Sequence, residues 1–376
     1  MPIAIEQASY LREILEQPHL FQQLHHHWTT SDLSYLTPLS PNQDELLIGL
    51  GEGSSYNALM LAKPFIESAL KRPFLVYNPH QFLYKTDWLK SRHAYITVVS
   101  QSGKTDSVKE ALNQGNGEYH RHQLITCAPK ETEGLIPSSK NLKTVHIHTI
   151  PEESIPATKS MTCSLLTIIH TVLSQHALDS HIRDQFLSAC QQTIQDTENL
   201  LNTLASHNHF KALSKNLVQT TSLFFCGDGP LDSALDELSL KISEVTGIPC
   251  RGFNYESFRH GPKAMLYPYP QAGSSNPKLL GFLSPFGPSD IPLIQQLPWL
   301  QKEIVAYLSF YPKDHPAQPE KTIYLPTPNN ALSQIICTLI TGQYLSYQLA
   351  LHLKISPNHT TLKKTVTRKS ENNDPD

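Results

Sequence analysis

The chain has 376 residues, 39% of them hydrophobic, and a formal net charge of −3. This length is enough for two domains of ordinary size, each with its own hydrophobic core. The small net charge and the absence of a basic run or stripe argue against a nucleic-acid-binding protein.

The sequence also argues against secretion and against membrane insertion. The beginning, MPIAIEQASYLREILEQPHL, has acidic residues early and no apolar core segment, unlike a secretory signal. The most apolar helical stretch, 161–174, is shorter than the ~20 residues that a membrane span needs. Six cysteines occur singly, without a CxxC pair, which is typical of reduced thiols. We therefore expect a cytoplasmic protein with no membrane partner.

Two segments share one plan: an apolar strand, Gly-acid-Gly and a helix. They are LLIGLGEGSS at 46–55 and SLFFCGDG at 222–229. Two such units, each opening a series of alternating strands and helices, predict a duplicated α/β fold with mainly parallel sheets. The predicted strands are 46–50, 73–77, 94–99, 122–127 and 144–148 in the first half, and 222–226, 279–284, 304–308 and 321–325 in the second.

These elements divide the chain into three predicted parts. Residues 1–160 would form an N-terminal helix and the first domain. Residues 161–350 would form linking helices, up to about residue 216, and the second domain. Residues 351–376 would form a C-terminal segment whose polar end, KSENNDPD, is predicted to be disordered.

The first half contains a candidate anion site in VVSQSGKTDSVKEAL, residues 98–112. Three hydroxyl side chains surround one glycine between a β-branched run and a helix-forming segment. Such a loop can bind a phosphate at a helix N-terminus, although a plain N-cap is the simpler alternative. In the second half, KLLGFL is followed by SPFGPS, where proline removes backbone donors. One anion per chain is therefore expected.

The second half contains a candidate catalytic helix at 233–245. Glu237, Lys241 and Glu244 lie at i, i+4 and i+7, on one helical face. A solvated face with an ion pair is the alternative. The following RGFNYESFRHGP lacks periodicity, which predicts a loop that ends at His260.

Together these motifs resemble the sugar isomerase (SIS) family, and within it the isomerase half of glutamine–fructose-6-phosphate aminotransferase and the related amino-sugar-phosphate deaminases and deglycases. The matching motifs, in the family's order along nearly the whole chain, are YLREILEQP, GEGSSYNA, SQSGKT, PATKS, ELSLKISE, FRHGP and TLKKTVT. The resemblance implies two tandem SIS domains, each a three-layer αβα unit.

The resemblance also implies roles for individual residues. The positions that match the family's phosphate and sugar contacts are Ser55, Ser100, Gln101, Ser102, Thr105, Ile155 and Ala157. The positions that match its catalytic residues are Glu237, Lys241, Glu244, His260 and Lys364. Glu244 corresponds to the proton shuttle between C1 and C2, and Lys364 to the lysine that acts on the open-chain carbonyl. His260 corresponds to a ring-opening histidine that reaches the neighbouring subunit's site, which implies a homodimer with shared sites.

Some positions depart from the family's pattern around the substrate. Arg251 stands where the aminotransferase has an acid, Pro156 precedes Ala157, and Thr360-Thr361 replaces a common Arg-Asn pair. The aminotransferase's glutaminase domain begins with a cysteine after the initiator Met, whereas residue 2 here is Pro2. We therefore expect no glutaminase domain and no use of glutamine by that route.

The resemblance predicts an enzyme that isomerises a hexose 6-phosphate or an amino-sugar 6-phosphate, with coupled loss of ammonia or an amine. A plain ketose/aldose-phosphate isomerase and a non-catalytic sugar-phosphate-binding regulator are the alternatives. No cofactor is expected. A metal site is not expected either, because consecutive His25–His27 point in different directions and His146 and His148 lack an apparent third ligand.

Overall fold

The computed structural model describes residues 9–31, 45–115, 120–128, 142–147, 152–176, 179–206, 208–267, 275–286, 294, 298–315 and 319–358. Lys364, the TLKKTVT motif and the C-terminal tail lie outside these residues, as does His148.

The first half begins with two helices and continues as alternating strands and helices. Its elements are α1 (Ser9–Leu15), α2 (Gln17–Thr30), β1 (Leu46–Gly51), α3 (Ser54–Leu70), β2 (Phe74–Tyr77), α4 (Pro79–Leu83), α5 (Thr86–Lys90), β3 (Ala94–Val99), α6 (Asp106–Gly115), β4 (His120–Thr126) and β5 (Leu142–His146).

Three helices then lead to the second series of strands. The elements are α7 (Lys159–His176), α8 (Ser180–Ser206), α9 (Asn208–Leu217), β6 (Ser222–Cys226), α10 (Leu231–Thr246), β7 (Cys250–Phe253), α11 (Tyr255–Arg259), β8 (Pro277–Leu283), α12 (Pro298–Glu303), β9 (Ile304–Ser309), β10 (Thr322–Tyr324) and α13 (Ala331–Leu353). A short 3₁₀ helix, Pro262–Leu266, follows α11.

The strands form two five-stranded sheets with the same connectivity. The first has the order β2-β1-β3-β4-β5, and the second the order β7-β6-β8-β9-β10. Every neighbouring pair is parallel. In both sheets the order reverses beside the first strand, and ligands of open α/β sheets bind at such a position, outside the carboxyl ends of the strands.

The α/β architecture and the strands expected from the sequence are confirmed within a few residues. The prediction of a loop after the catalytic helix was wrong, because β7 and α11 occupy most of that segment. β7 is only four residues long and contains Gly252, so it gives little strand signal. Glycine is required there because a Cβ atom would lie 2.5 Å from the Cβ of Leu235 on α10.

The main hydrophobic core lies between the two sheets. It combines the inner faces of both sheets with buried residues of α2, α3, α7, α8, α10 and α13. The helices α10 and α13 approach closely at Gly342, where a Cβ atom would lie 2.5 Å from Cγ of Leu238. This contact fixes the helix that carries Glu237, Lys241 and Glu244. No helix in the described part of the chain is long and apolar enough to cross a membrane.

Candidate active site

The two loops that the sequence singles out in the first half lie side by side. β1 and β3 are hydrogen-bonded neighbours, and Gly51 at the end of β1 pairs with Val99 at the end of β3. The GEGSS loop therefore starts beside the SQSGKT loop, at the position where the strand order reverses. Gly53 has a φ of 57°, a left-handed conformation that favours glycine before α3 begins.

A cavity of about 180 Å³ opens beside these loops. It is bordered by the start of α3, the SQSGKT loop, the segment before α7, the first turns of α7 and one face of α10. Its lining residues are Glu52, Ser54, Ser55, Gln101, Ser102, Thr105, Ile155, Ala157, Ser160, Met161, Ser164, Lys241 and Glu244. The cavity thus brings together most of the residues that the sequence analysis assigned to phosphate, sugar and catalysis.

Local hydrogen bonds shape the SQSGKT loop. The hydroxyls of Ser100 and Thr105 lie 3.1 Å apart, and the backbone N–H of Lys104 donates to Oγ of Ser102 at 3.2 Å. Ser100 is buried beneath the loop and does not line the cavity, whereas Ser102 and Thr105 do. Since α6 begins directly after Thr105, these hydroxyls and the helix N-terminus can together hold an anion.

The segment 152–160, which contains the predicted sugar contacts Ile155 and Ala157, is organised around the carboxylate of Glu152. One oxygen accepts from the backbone N–H and hydroxyl of Thr158, at 2.6 and 2.8 Å. The other accepts from the hydroxyl of Ser160 and, at 3.0 Å, from the side-chain amide of Gln101. Burial raises the pKa of Glu152, against the opposing effect of the donors on Ser160 and Thr158.

Glu13 of α1 and Glu16, which follows α1, bind the same segment. The buried carboxylate of Glu13 accepts from the backbone N–H of Glu153, at 2.5 Å, and from the hydroxyl of Ser154. Nζ of Lys159, which is 1% exposed, lies 2.8 Å from Oε2 of Glu16. The YLREILEQP motif therefore stabilises the segment whose residues Ile155 and Ala157 line the cavity.

The three charged residues of α10 form a chain of ion pairs. Nζ of Lys241 lies 3.5 Å from Oε1 of Glu237 and contacts Oε2 of Glu244. Glu237 also accepts from Ser54 at 3.0 Å and from Asn57 at 2.7 Å, both on α3. Because Glu237 and Lys241 are 1% exposed, the alternative of a solvated helical face is wrong.

Burial and neighbouring charge set the protonation of this chain. Burial raises the pKa of Glu237, while Lys241 and the two hydrogen-bond donors of α3 oppose that effect. For Lys241, burial acts to lower the pKa, but the carboxylates of Glu237 and Glu244 outweigh burial and raise it. Lys241 is therefore a fixed cation that holds the Glu244 carboxylate at the cavity wall. The side chain of Glu244 is 30% exposed and can meet a ligand.

The remaining predicted catalytic residues are not part of the cavity wall. His260 follows α11, its side chain is 67% exposed, and its Nε2 lies 3.0 Å from Oε1 of Glu256. Glu237 does not line the cavity but contacts two residues that do, Lys241 and Ser54. Lys364 is outside the described residues.

Sequence reasoning missed several residues of this site. Glu152 and Glu13 bind the loops of the site, Asn57 binds Glu237 on α10, and Ser54, Ser160 and Ser164 line the cavity. Ser54 and Asn57 fall within GEGSSYNA, so the motif itself was the available signal. Glu13 likewise falls within YLREILEQP, although nothing in that motif indicated its partner. Glu152 gave no signal, because its contact with Gln101 joins residues that are distant in the sequence. Within the described residues, no group of three metal-binding side chains is assembled.

Comparison with known proteins finds relatives along most of the chain. The chain is 25% identical over 344 residues to glutamine–fructose-6-phosphate aminotransferase of Chlamydia trachomatis, covering 91% of this chain and 55% of that protein. The resemblance to the sugar isomerase family is confirmed. No family model matches the chain. The chain spans about half the length of the curated relatives that it matches.

Solved structures show the same fold. The C-terminal domain of glucosamine-fructose-6-phosphate aminotransferase from Francisella tularensis superposes with a TM-score of 0.71 at 20% identity, covering 92% of this chain and 96% of that one. Tagatose-6-phosphate ketose/aldose isomerase from Escherichia coli superposes with a TM-score of 0.70 at 18% identity, covering 95% and 96%.

Proposed function

We propose that the chain is an enzyme that isomerises a hexose 6-phosphate or an amino-sugar 6-phosphate, with coupled loss of ammonia or an amine. The observation that carries this proposal is one cavity whose wall contains both the SQSGKT hydroxyls and the Lys241–Glu244 pair. A phosphate held at one end of such a cavity places the other end of a sugar at the carboxylate. A protein that only binds a sugar phosphate would need the SQSGKT hydroxyls but not the Lys241–Glu244 pair.

The proposed chemistry follows from the positions of these groups. The hydroxyls of Ser102 and Thr105 and the N-terminus of α6 bind the phosphate and fix the sugar by proximity. The carboxylate of Glu244 removes the proton from C2 of the open-chain sugar and returns it to C1. With an amino group on C2, this transfer and the passage of an N–H proton to O1 convert the C1 aldehyde to an alcohol and leave a C2 imine, which water hydrolyses to a ketose phosphate and ammonia.

The assay measures free ammonia and ketose phosphate after incubation of the purified chain with glucosamine 6-phosphate, and free amine and aldose phosphate after incubation with glycated-amine 6-phosphates. Aldose–ketose exchange of unaminated hexose 6-phosphates is followed in parallel, because turnover of these alone would identify a plain isomerase. Glu244→Gln should lower turnover by ~10²–10⁴-fold, the usual contribution of a general base. Adding glutamine to fructose 6-phosphate should yield no amino sugar. No turnover of any of these phosphates would contradict the proposal.

We further propose that His260 completes the site of a second copy of the chain. In support, its exposed imidazole does not line the cavity that holds Glu244. Mixing His260→Ala with Glu244→Gln tests this proposal, since each variant should be nearly inactive alone. Exchanged dimers should regain activity through one site with both native groups. No recovery despite verified subunit exchange would contradict it.

We also propose that residues 1–160 and 161–350 are tandem domains and that Lys364 of the C-terminal segment acts on the open-chain carbonyl. The identical strand order of the two sheets supports the duplication. A lysine amine can polarise a carbonyl or form a Schiff base with it. Trapping a sugar phosphate with borohydride in the wild type, and not in Lys364→Met, would support a Schiff base.

A further inference from the structure

Glu152 connects two parts of the cavity wall that are far apart in the sequence. We propose that it is a positioning residue, which fixes Gln101 of the SQSGKT loop relative to the segment 152–160. This inference rests on the proposed function, because it assumes that the cavity takes a sugar phosphate.

The hydrogen bonds of Glu152 leave its carboxylate no capacity for a ligand. Oε1 accepts from the N–H and hydroxyl of Thr158 and, at 3.4 Å, from the backbone N–H of Ser160, and Oε2 accepts from the hydroxyl of Ser160 and from Gln101. A carboxylate has about four lone-pair sites, so these donors occupy all of them. Glu152 is also not among the residues that line the cavity. It therefore acts through Gln101 and Ser160, which do line it.

Gln101 is the residue whose position depends most on this contact. Its backbone carbonyl accepts from the N–H of Cys127 at 3.1 Å, which fixes the main chain beside β4. Its side chain is held by the 3.0 Å bond to Glu152. Without that bond the long amide side chain would regain its rotamer freedom. Gln101 would then no longer be held in one position in the cavity wall.

The segment around Glu152 has other attachments, so the fold does not depend on Glu152 alone. Glu13 binds the backbone at residues 153 and 154, and Glu16 pairs with the buried Lys159. The charge of Glu13 also opposes ionisation of Glu152 and adds to the effect of burial on its pKa. Replacing Glu152 by the neutral isostere glutamine would remove that repulsion, so the variant should fold.

The test compares Glu152→Gln with Glu153→Gln, the same chemical change at the neighbouring residue. Glu153 is 64% exposed and pairs with Arg12, away from the cavity. In Glu152→Gln, an amide N–H₂ replaces one acceptor oxygen and cannot bind all the former donors. The dissociation constant and KM for fructose 6-phosphate should rise by about tenfold, because ligand binding would then have to order the freed Gln101 side chain.

Two further measurements separate positioning from loss of structure. The melting temperature of Glu152→Gln should stay close to that of Glu153→Gln, whose affinity should match the wild type. In a Gln101→Ala background, Glu152→Gln should weaken fructose 6-phosphate binding by clearly less than it does in the wild type, because the contact with Gln101 is already gone and only the contact with Ser160 remains to be lost. If Glu152→Gln fails to fold, Glu152→Asp, which keeps the charge but shortens the reach, should show the same loss of affinity.

The outcomes are distinguishable. If the wild type binds fructose 6-phosphate and Glu152→Gln binds it with the same affinity, this inference is wrong and the proposed function is unaffected. Full additivity of Glu152→Gln and Gln101→Ala would also overturn it. If the wild type bound neither fructose 6-phosphate nor inorganic phosphate, both the proposed function and this inference would be wrong.

Discussion

Lys241 lies 3.5 Å from Glu237 on the next turn of α10, and both side chains are no more than 2% exposed. A buried pair of this kind costs desolvation, and removal of one partner leaves an uncompensated charge. The pair therefore connects the stability of α10 to the position of Glu244, which contacts the same ammonium group.

The first prediction concerns this pair. Lys241→Met should lower the free energy of unfolding by ~3 kcal/mol, because Glu237 would remain buried without its cation. Urea denaturation of Lys241→Met and of Lys241→Met/Glu237→Gln measures the effect, and the double variant should recover a large part of the loss. A change of less than ~0.5 kcal/mol in the single variant, the size of an exposed pair, would contradict the buried pairing.

The second prediction concerns the phosphate loop. Ser102→Ala and Thr105→Val should each weaken binding of fructose 6-phosphate by ~1.5–3 kcal/mol, the value of a hydrogen bond to a charged group. Ser107→Ala on α6, which does not line the cavity, is the matched control. Calorimetric titration with fructose 6-phosphate and with fructose separates the phosphate contribution. Equal affinity of the wild type for fructose 6-phosphate and fructose would show that the SQSGKT loop does not bind the phosphate.

Much of this site could be predicted from the sequence because its motifs are local. SQSGKT and the Glu237–Lys241–Glu244 spacing each lie within one loop or one helix, where spacing alone determines which side chains are neighbours. Glu152 and Glu13 could not be found in this way, since their partners Gln101 and Ser154 are separated from them by 51 and 141 residues. β7 was missed because a glycine occupies a four-residue strand, and its strand conformation depends on packing against α10.

The third prediction concerns the contact between α10 and α13. Gly342→Ala should lower stability by ~1–3 kcal/mol, the usual cost of overpacking, because the new methyl group would meet Leu238 at 2.5 Å. Leu238→Ala alone should also destabilise, by leaving a cavity. The double variant should be more stable than the sum of the two losses predicts. Strict additivity in thermal or urea unfolding would show that the two residues do not meet.

The fourth prediction concerns pH. His170 on α7 stacks on Trp28 with ring centroids 4.4 Å apart, and burial lowers its pKa from 6.5 to about 3. Between these values the unfolded chain binds a proton that the folded chain excludes. This difference does not change the free energy of unfolding above pH 6.5. Below pH 6.5 it lowers the free energy of unfolding by ~1.4 kcal/mol for each unit of decreasing pH.

His170→Phe keeps an aromatic ring against Trp28 and removes the titrating group. Its unfolding free energy should therefore fall less steeply than that of the wild type from pH 6.5 towards pH 4. His19→Phe, on the exposed side of α2, is the control. Parallel curves for His170→Phe and the wild type would contradict a neutral, buried His170.

The most direct test of the whole account is a crystal structure of the chain with fructose 6-phosphate. We predict that the phosphate lies within hydrogen-bonding distance of the Ser102 and Thr105 hydroxyls, with C1 and C2 of the sugar beside the Glu244 carboxylate. A sugar phosphate bound elsewhere, or with C1 and C2 directed away from Glu244, would contradict the claim that this cavity combines phosphate binding with proton transfer.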